Sequence, residues 1–190
     1  MFKRGFKTSC EQTAEALRRQ HGLPVWDPLS AREIAGKLYV RIVTPDELPS
    51  LPTEVRHRLV TEHCAVWSAI TISSNPPLIV YNPAHTPARQ NSDLMHELAH
   101  ILLEHIPSSV YIDPNTRVAL RSHDKDQEEQ ANWLAGCLLL PRAALIRIKQ
   151  LNLSDSDACA LYLVSSTMLK YRMGISGVNI QHQRRQGYAG

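Results

Sequence analysis

The sequence predicts an α+β fold, and three observations carry that prediction. Helix-like segments lead and close the chain, while the strand-like runs are few, short and gathered in its middle. That order builds a small antiparallel or mixed sheet beside helices, not a doubly wound one. Within 190 residues, 43% hydrophobic and 21% charged residues are enough for one substantial core, which excludes a disordered chain. No run of about 18 apolar residues occurs, so no membrane span is expected.

Taken in order, residues 9–21 read as a polar helix with Ala14, Leu17 and Arg18 on one face, stopped by Gly22 and Pro24. Ser30 and Glu33 have capping-box spacing and open a short helix through Lys37. Residues 38–43 are rich in β-branched residues and end before Pro45, as a strand would. A loop follows over 45–52, and Thr53 can cap a helix to about Glu62. Two strands are expected over 65–72 and 78–81, joined by a hairpin-like loop rich in Ser, Asn and Pro. A long helix over 88–105 lies between Pro87 and Pro107. Residues 108–125 read as loop, with short strands over 110–112 and 117–120. Helices are then expected over 126–140, 141–150, 154–163 and 165–173, the last closed by Gly174. The polar tail from Gln181 is expected to fray. This organisation suggests a core over 1–150, a helical lobe over 151–180 packed on it, and a flexible tail over 181–190.

The net charge of +3 and pI near 8.7 are too modest to indicate nucleic acid. Cys10, Cys64, Cys137 and Cys159 form no C-x-x-C pair, and the basic first residues are followed by no apolar stretch of signal-peptide type. A reduced, cytoplasmic protein is the expectation.

One stretch carries chemistry. His96-Glu97-Leu98-Ala99-His100 places two imidazoles four residues apart. On a helix such positions lie about 40° apart around the axis and about 6 Å apart along it. Both rings can therefore reach one point, as two ligands of Zn²⁺ must. Glu97 lies between them, placed to act as general base on a metal-activated water. Leu94, Leu98, Ala99, Leu102 and Ile106 form an apolar stripe, so the helix is expected to be buried. The plainer alternative is a helix with two partly exposed histidines and an unrelated glutamate.

A catalytic zinc takes a third protein ligand. Glu104, His105, His123, Asp124, Asp126, Glu128 and Glu129 are candidates. Periodicity favours Glu128, which shares a face with Ala131 and Ala135, whereas Glu129 is turned about 100° away. A carboxylate on an apolar face needs a partner, and a metal would supply one. Its simpler role is to complement the positive end of the helix. Asn132, one turn on, could hydrogen-bond a ligand histidine. His105 is expected to point elsewhere, as a histidine at a helix C-terminus.

Two blocks resemble the ImmA/IrrE family of zinc metallo-endopeptidases. The first runs from Arg89 through His96-Glu97-Leu98-Ala99-His100 to Leu103. The second is Glu128-Glu129-Gln130-Ala131-Asn132-Trp133-Leu134-Ala135-Gly136-Cys137-Leu138-Leu139-Leu140-Pro141. Weaker similarity reaches Gly5–Thr8, Asp27–Leu29 and residues 164–173. Trp133-Leu134 departs from the usual aromatic-Ala pair, which alters packing rather than chemistry.

The resemblance implies a zincin-like core with His96, His100 and Glu128 as metal ligands and Glu97 as general base. It also implies Zn²⁺ (Mn²⁺ in vitro), a cytoplasmic setting and a protein substrate, a helix-turn-helix transcriptional repressor. An edge strand over 65–72 could align an extended substrate. No second oxyanion donor is assigned among Tyr81, His85, Tyr111, Arg117, Arg121 and His123. Two alternatives stay open: a zinc sensor without turnover, or a DNA- or protein-binding module built on the C-terminal helix pair. Lys170 and Arg172 make a thin phosphate footprint, which argues against direct nucleic-acid binding.

Overall fold

A computed structural model describes residues 2–72, 74–106, 110–112, 119–121 and 124–187. The chain opens with α1 (Phe6–Gln20) and α2 (Ala31–Lys37). Cys10, Ala14, Leu17 and Arg18 make the buried stripe of α1. The helix begins three residues before the expected start because Gly5, at φ 87°, turns the chain and Phe6 packs against the core. On α2 the capping box forms as its spacing predicts: Glu33 N–H donates to Ser30 Oγ, and Ser30 N–H donates to Glu33 Oε2 at 2.8 Å.

Three strands form a mixed sheet: β1 (Arg41–Val43), β2 (Ala69–Ile72) and β3 (Leu78–Tyr81), in the order β1-β3-β2. β1 runs parallel to the central β3, and β2 antiparallel to it. Central β3 buries both Ile79 and Val80, while edge strand β2 alternates between half-buried and exposed residues. A two-stranded antiparallel ladder, β4 (Val110–Ile112) with β5 (Ala119–Arg121), lies in the stretch expected to be mostly loop. The rest of 107–123 lies outside the described residues.

The core is helical. α4 (Pro87–Leu102) packs most extensively on α5 (Lys125–Leu139), and α1 backs α5. Leu94, Met95, Leu98 and Ala99 of α4 and Ala131, Leu134, Ala135 and Leu138 of α5 are at most 4% exposed. Small side chains at 99, 131 and 135 let the two axes approach closely. Asn91 of α4, also buried, ties the layers together. Its Oδ1 accepts from Ala31 N–H at 2.9 Å and its Nδ2 donates to Leu163 O at 3.1 Å. α3 (Thr53–Val60), α6 (Arg142–Gln150), α7 (Asp155–Tyr162) and α8 (Ser166–Ile175) complete the expected helices. No single helix among the described residues is long and apolar enough to cross a membrane.

Several boundaries differ from the sequence expectation. The strand expected over 38–43 contracts to Arg41–Val43 because Tyr39, at φ 55°, closes α2, with Val40 N–H donating to Ala35 O at 2.9 Å. The strand expected over 65–72 begins only at Ala69, after a run of turns. A 3-10 turn, Pro45–Glu47, replaces the start of a loop, with Thr44 N–H donating to Glu47 Oε2 at 2.6 Å. The tail expected to fray from Gln181 is helical instead, as α9 (Val178–Gly187). Val178 is 2% exposed and Gln181 Oε1 accepts from Arg142 Nη2, so contacts with α6 supply what the polar sequence lacks.

Candidate metal centre

Both helices that build the site are capped at their N-termini by side chains. Thr86 Oγ1 accepts from Arg89 N–H, and Pro87 occupies the first turn of α4. Asp124 Oδ1 accepts from the N–H groups of Asp126 and Gln127, which sets Glu128 in the first turn of α5. The α4–α5 contact then brings together residues 28 or more apart in sequence.

His96 Nε2 lies 3.1 Å from His100 Nε2 and 3.2 Å from Glu128 Oε2, and His100 Nε2 lies 3.6 Å from Glu128 Oε1. A tetrahedral Zn²⁺ with bonds of about 2.0–2.1 Å would hold its donors about 3.3–3.4 Å apart. The observed separations bracket that edge, so the three groups could hold such an ion. Two imidazole nitrogens and one carboxylate are also a donor set that suits it. The three side chains are 20–28% exposed, so the cluster is neither sealed nor fully solvated.

Glu97 points toward the sheet. Thr71 Oγ1 of β2 donates to Glu97 Oε2 at 2.6 Å. The sequence reading missed Thr71. The signal was there in principle, as a polar residue on the inward face of an edge strand whose outward residues are Ile70 and Ile72. Only the strand's position over α4 gives that pattern a meaning.

His105 corrects an expectation. It was expected to extend α4 and point elsewhere, but α4 stops at Leu102 and Glu104 takes φ 53°. His105 N–H then donates to His100 O, and Glu104 N–H to Ile101 O, a Schellman closure. The chain folds back, and His105 Nδ1 sits 3.0 Å from His100 Nδ1. Asn132, expected beside a ligand histidine, lines the cleft with His96 and Glu128.

Of the candidate oxyanion donors, His85 is turned to Asp93, with Nδ1 2.8 Å from Oδ2, and Tyr81 lies under the Arg32 guanidinium at 4.8 Å. The side chains of Tyr111, Arg117, Arg121 and His123 lie outside the described residues. Thiolate chemistry has no support from the buried cysteines. Burial pushes the Cys10 thiol up to about 11 and the Cys137 thiol higher, so both stay protonated near neutrality. All four cysteines are free.

The cluster opens into a cleft of about 760 Å³ walled on one side by β2 through Ala69, Ile70 and Ile72. A second hollow of about 670 Å³, lined by Phe2, Trp133 and Tyr171, shares Ser92, Asn132 and Met168 with the first. The fold and this arrangement define a protein of metallopeptidase type, with a possible metal site and a carboxylate beside it in an open groove. The family model of the IrrE N-terminal-like domain, peptidase M78, matches residues 47–174. The chain belongs to that family, and its fold is the zincin-like one. No curated protein matches the chain.

Proposed function

We propose that the protein is a zinc-dependent endopeptidase of HExxH type. In this reading His96, His100 and Glu128 hold Zn²⁺ (Mn²⁺ serving in vitro), and Glu97 is the general base. The observation that carries it is the convergence of three donor side chains from two helices, with two imidazole nitrogens and the two oxygens of one carboxylate at separations of 3.1–3.6 Å. Bound there, the ion would supply Lewis acidity and a water that ionises near neutral pH.

The chain's own groups do the rest. Glu97 accepts the proton of the attacking water and returns it to the leaving amine. Thr71 holds one carboxylate oxygen of Glu97, leaving the other to exchange that proton. Among the described residues β2 pairs with β3 on one side only, and its residues wall the cleft. An extended segment of a protein substrate can add to that free edge by backbone hydrogen bonds. Ile70 and Ile72, 36% and 41% exposed, offer apolar contact along it. In this reading the substrate is a helix-turn-helix repressor and the setting cytoplasmic, as the family resemblance implies.

The test is co-incubation with such a repressor and Zn²⁺, with fragments read by mass spectrometry. Cleavage should stop with chelator. Glu97→Gln should keep its Zn²⁺ and lose about 10²–10⁴-fold in rate. Undiminished cleavage by Glu97→Gln would remove that residue from its role. A parent that binds Zn²⁺ yet cuts no repressor would favour the sensor reading.

A further inference from the structure

We infer that His105 is a positioning residue: it fixes the tautomer and ring orientation of His100 for metal binding, and Gln130 fixes His105 in turn. The inference rests on His100 being a metal ligand. A neutral imidazole has one N–H and one lone pair, so a ligand nitrogen must be the one without the proton. His100 presents Nε2 to His96 and Glu128, the other two members of the cluster. Its proton therefore belongs on Nδ1. That atom faces His105 Nδ1 at 3.0 Å, which must then accept. The His105 proton is left on Nε2, 3.4 Å from Gln130 Oε1, an acceptor. This assignment satisfies every link from Gln130 through His105 to His100 Nε2.

The backbone supports the same reading. Glu104 sits in the left-handed region at φ 53°, which a residue with a Cβ adopts only under strain. Strain of this kind persists where the surroundings over-determine it and clusters at functional sites. Here its effect is to turn the chain at the end of α4 and set the His105 ring against His100, centroids 5.0 Å apart and planes at 72°. Gln130 lies two residues beyond Glu128 on α5. The helix that supplies the carboxylate thus also anchors the histidine that orients an imidazole of α4.

Two substitutions separate acceptor from bulk. His105→Phe keeps a ring and removes the acceptor. His105→Asn is smaller but carries an oxygen that can stand where Nδ1 stands. Zn²⁺ affinity is measured by competition with a chromogenic chelator, alongside the melting temperature of each metal-free protein. His105→Phe should weaken Zn²⁺ binding about 10–100-fold, and His105→Asn should stay within about threefold of the parent. Metal-free melting temperatures should stay close to the parent's. Parent-like affinity in His105→Phe, or equal loss in both variants, would overturn the inference. If His105→Phe does not fold, Gln130→Leu leaves the ring but removes its anchor and should weaken binding several-fold, with no change overturning the inference. The metal reading fails separately, if the parent binds Zn²⁺ no better than His96→Ala.

Discussion

Thr71 offers a test of how much one hydroxyl matters beside the carboxylate proposed as general base. It donates to Glu97 Oε2 at 2.6 Å, and in the proposed role of Glu97 as general base this is a hydrogen bond to a carboxylate, the stronger class of such bonds. Thr71→Val keeps the side-chain outline and removes the donor. Steady-state kinetics on a cleaved peptide should show kcat lowered about tenfold, equivalent to about 1.4 kcal/mol, with KM nearly unchanged. Thr71→Ser, which keeps the hydroxyl, should recover most of the loss. A raised KM with kcat retained would make Thr71 a substrate contact instead. At this scale His96, Glu97 and His100 were legible because helical geometry alone aligns them. Glu128 was legible as a carboxylate on an apolar face. Thr71 lies 26 residues from Glu97, and no local pattern joins the two.

Helix ends are where local reading erred most. Gly22 was read correctly as a stop, and it has φ 70°. Tyr39, Glu104, Asn152 and Leu163 adopt the same left-handed region without being glycine. The left-handed cost of about 1–2 kcal/mol per residue is small enough for tertiary contacts to override it. That is why a strand was expected from residue 38 and a helix through 105. Tyr39 is 82% exposed and loses little packing on truncation. Tyr39→Gly should therefore relieve strain and raise stability by up to about 1 kcal/mol in urea unfolding, despite the added freedom of the unfolded chain.

At the other end of α2, Ser30→Ala removes the cap and should cost about 1 kcal/mol at neutral pH. The Ser30 hydroxyl, then its backbone N–H, hold the Glu33 carboxyl below its ordinary range. A group lowered in the folded state stabilises above its unfolded pKa, and that contribution is lost as pH falls through the folded one. The gap between parent and Ser30→Ala should therefore narrow in acid, as urea titrations at about pH 7 and about pH 3 would show.

Across the whole molecule, two buried arginines join elements that no motif links. Arg18 of α1 donates to Leu138 O at 2.8 Å and Asp27 O at 2.7 Å. Arg172 of α8, 1% exposed, pairs with Glu11 of α1 and donates to Leu140 O at 3.0 Å. Glu11 also accepts from Arg142 N–H at the start of α6. Gly136 leaves room for this, since a Cβ there would stand 3.0 Å from Arg172 Cδ. Arg172→Leu leaves Leu140 O and a Glu11 oxygen without this partner and should lower stability by about 3–5 kcal/mol in urea unfolding. The sequence reading weighed Arg172 as a possible phosphate contact. The structure places it inside, holding α8 against the core.

The sequence by itself determined the helices with an apolar stripe, the α+β order and the two histidines with their glutamate, because all of these follow from short-range periodicity. Tertiary structure decided what the stripes press together. It brought Glu128 to the imidazoles, Thr71 to Glu97 and His105 back onto His100, and made the polar 178–187 segment a helix. Those outcomes depend on packing between distant parts of the chain, where burial and shared hydrogen bonds outweigh local preferences of about 1 kcal/mol.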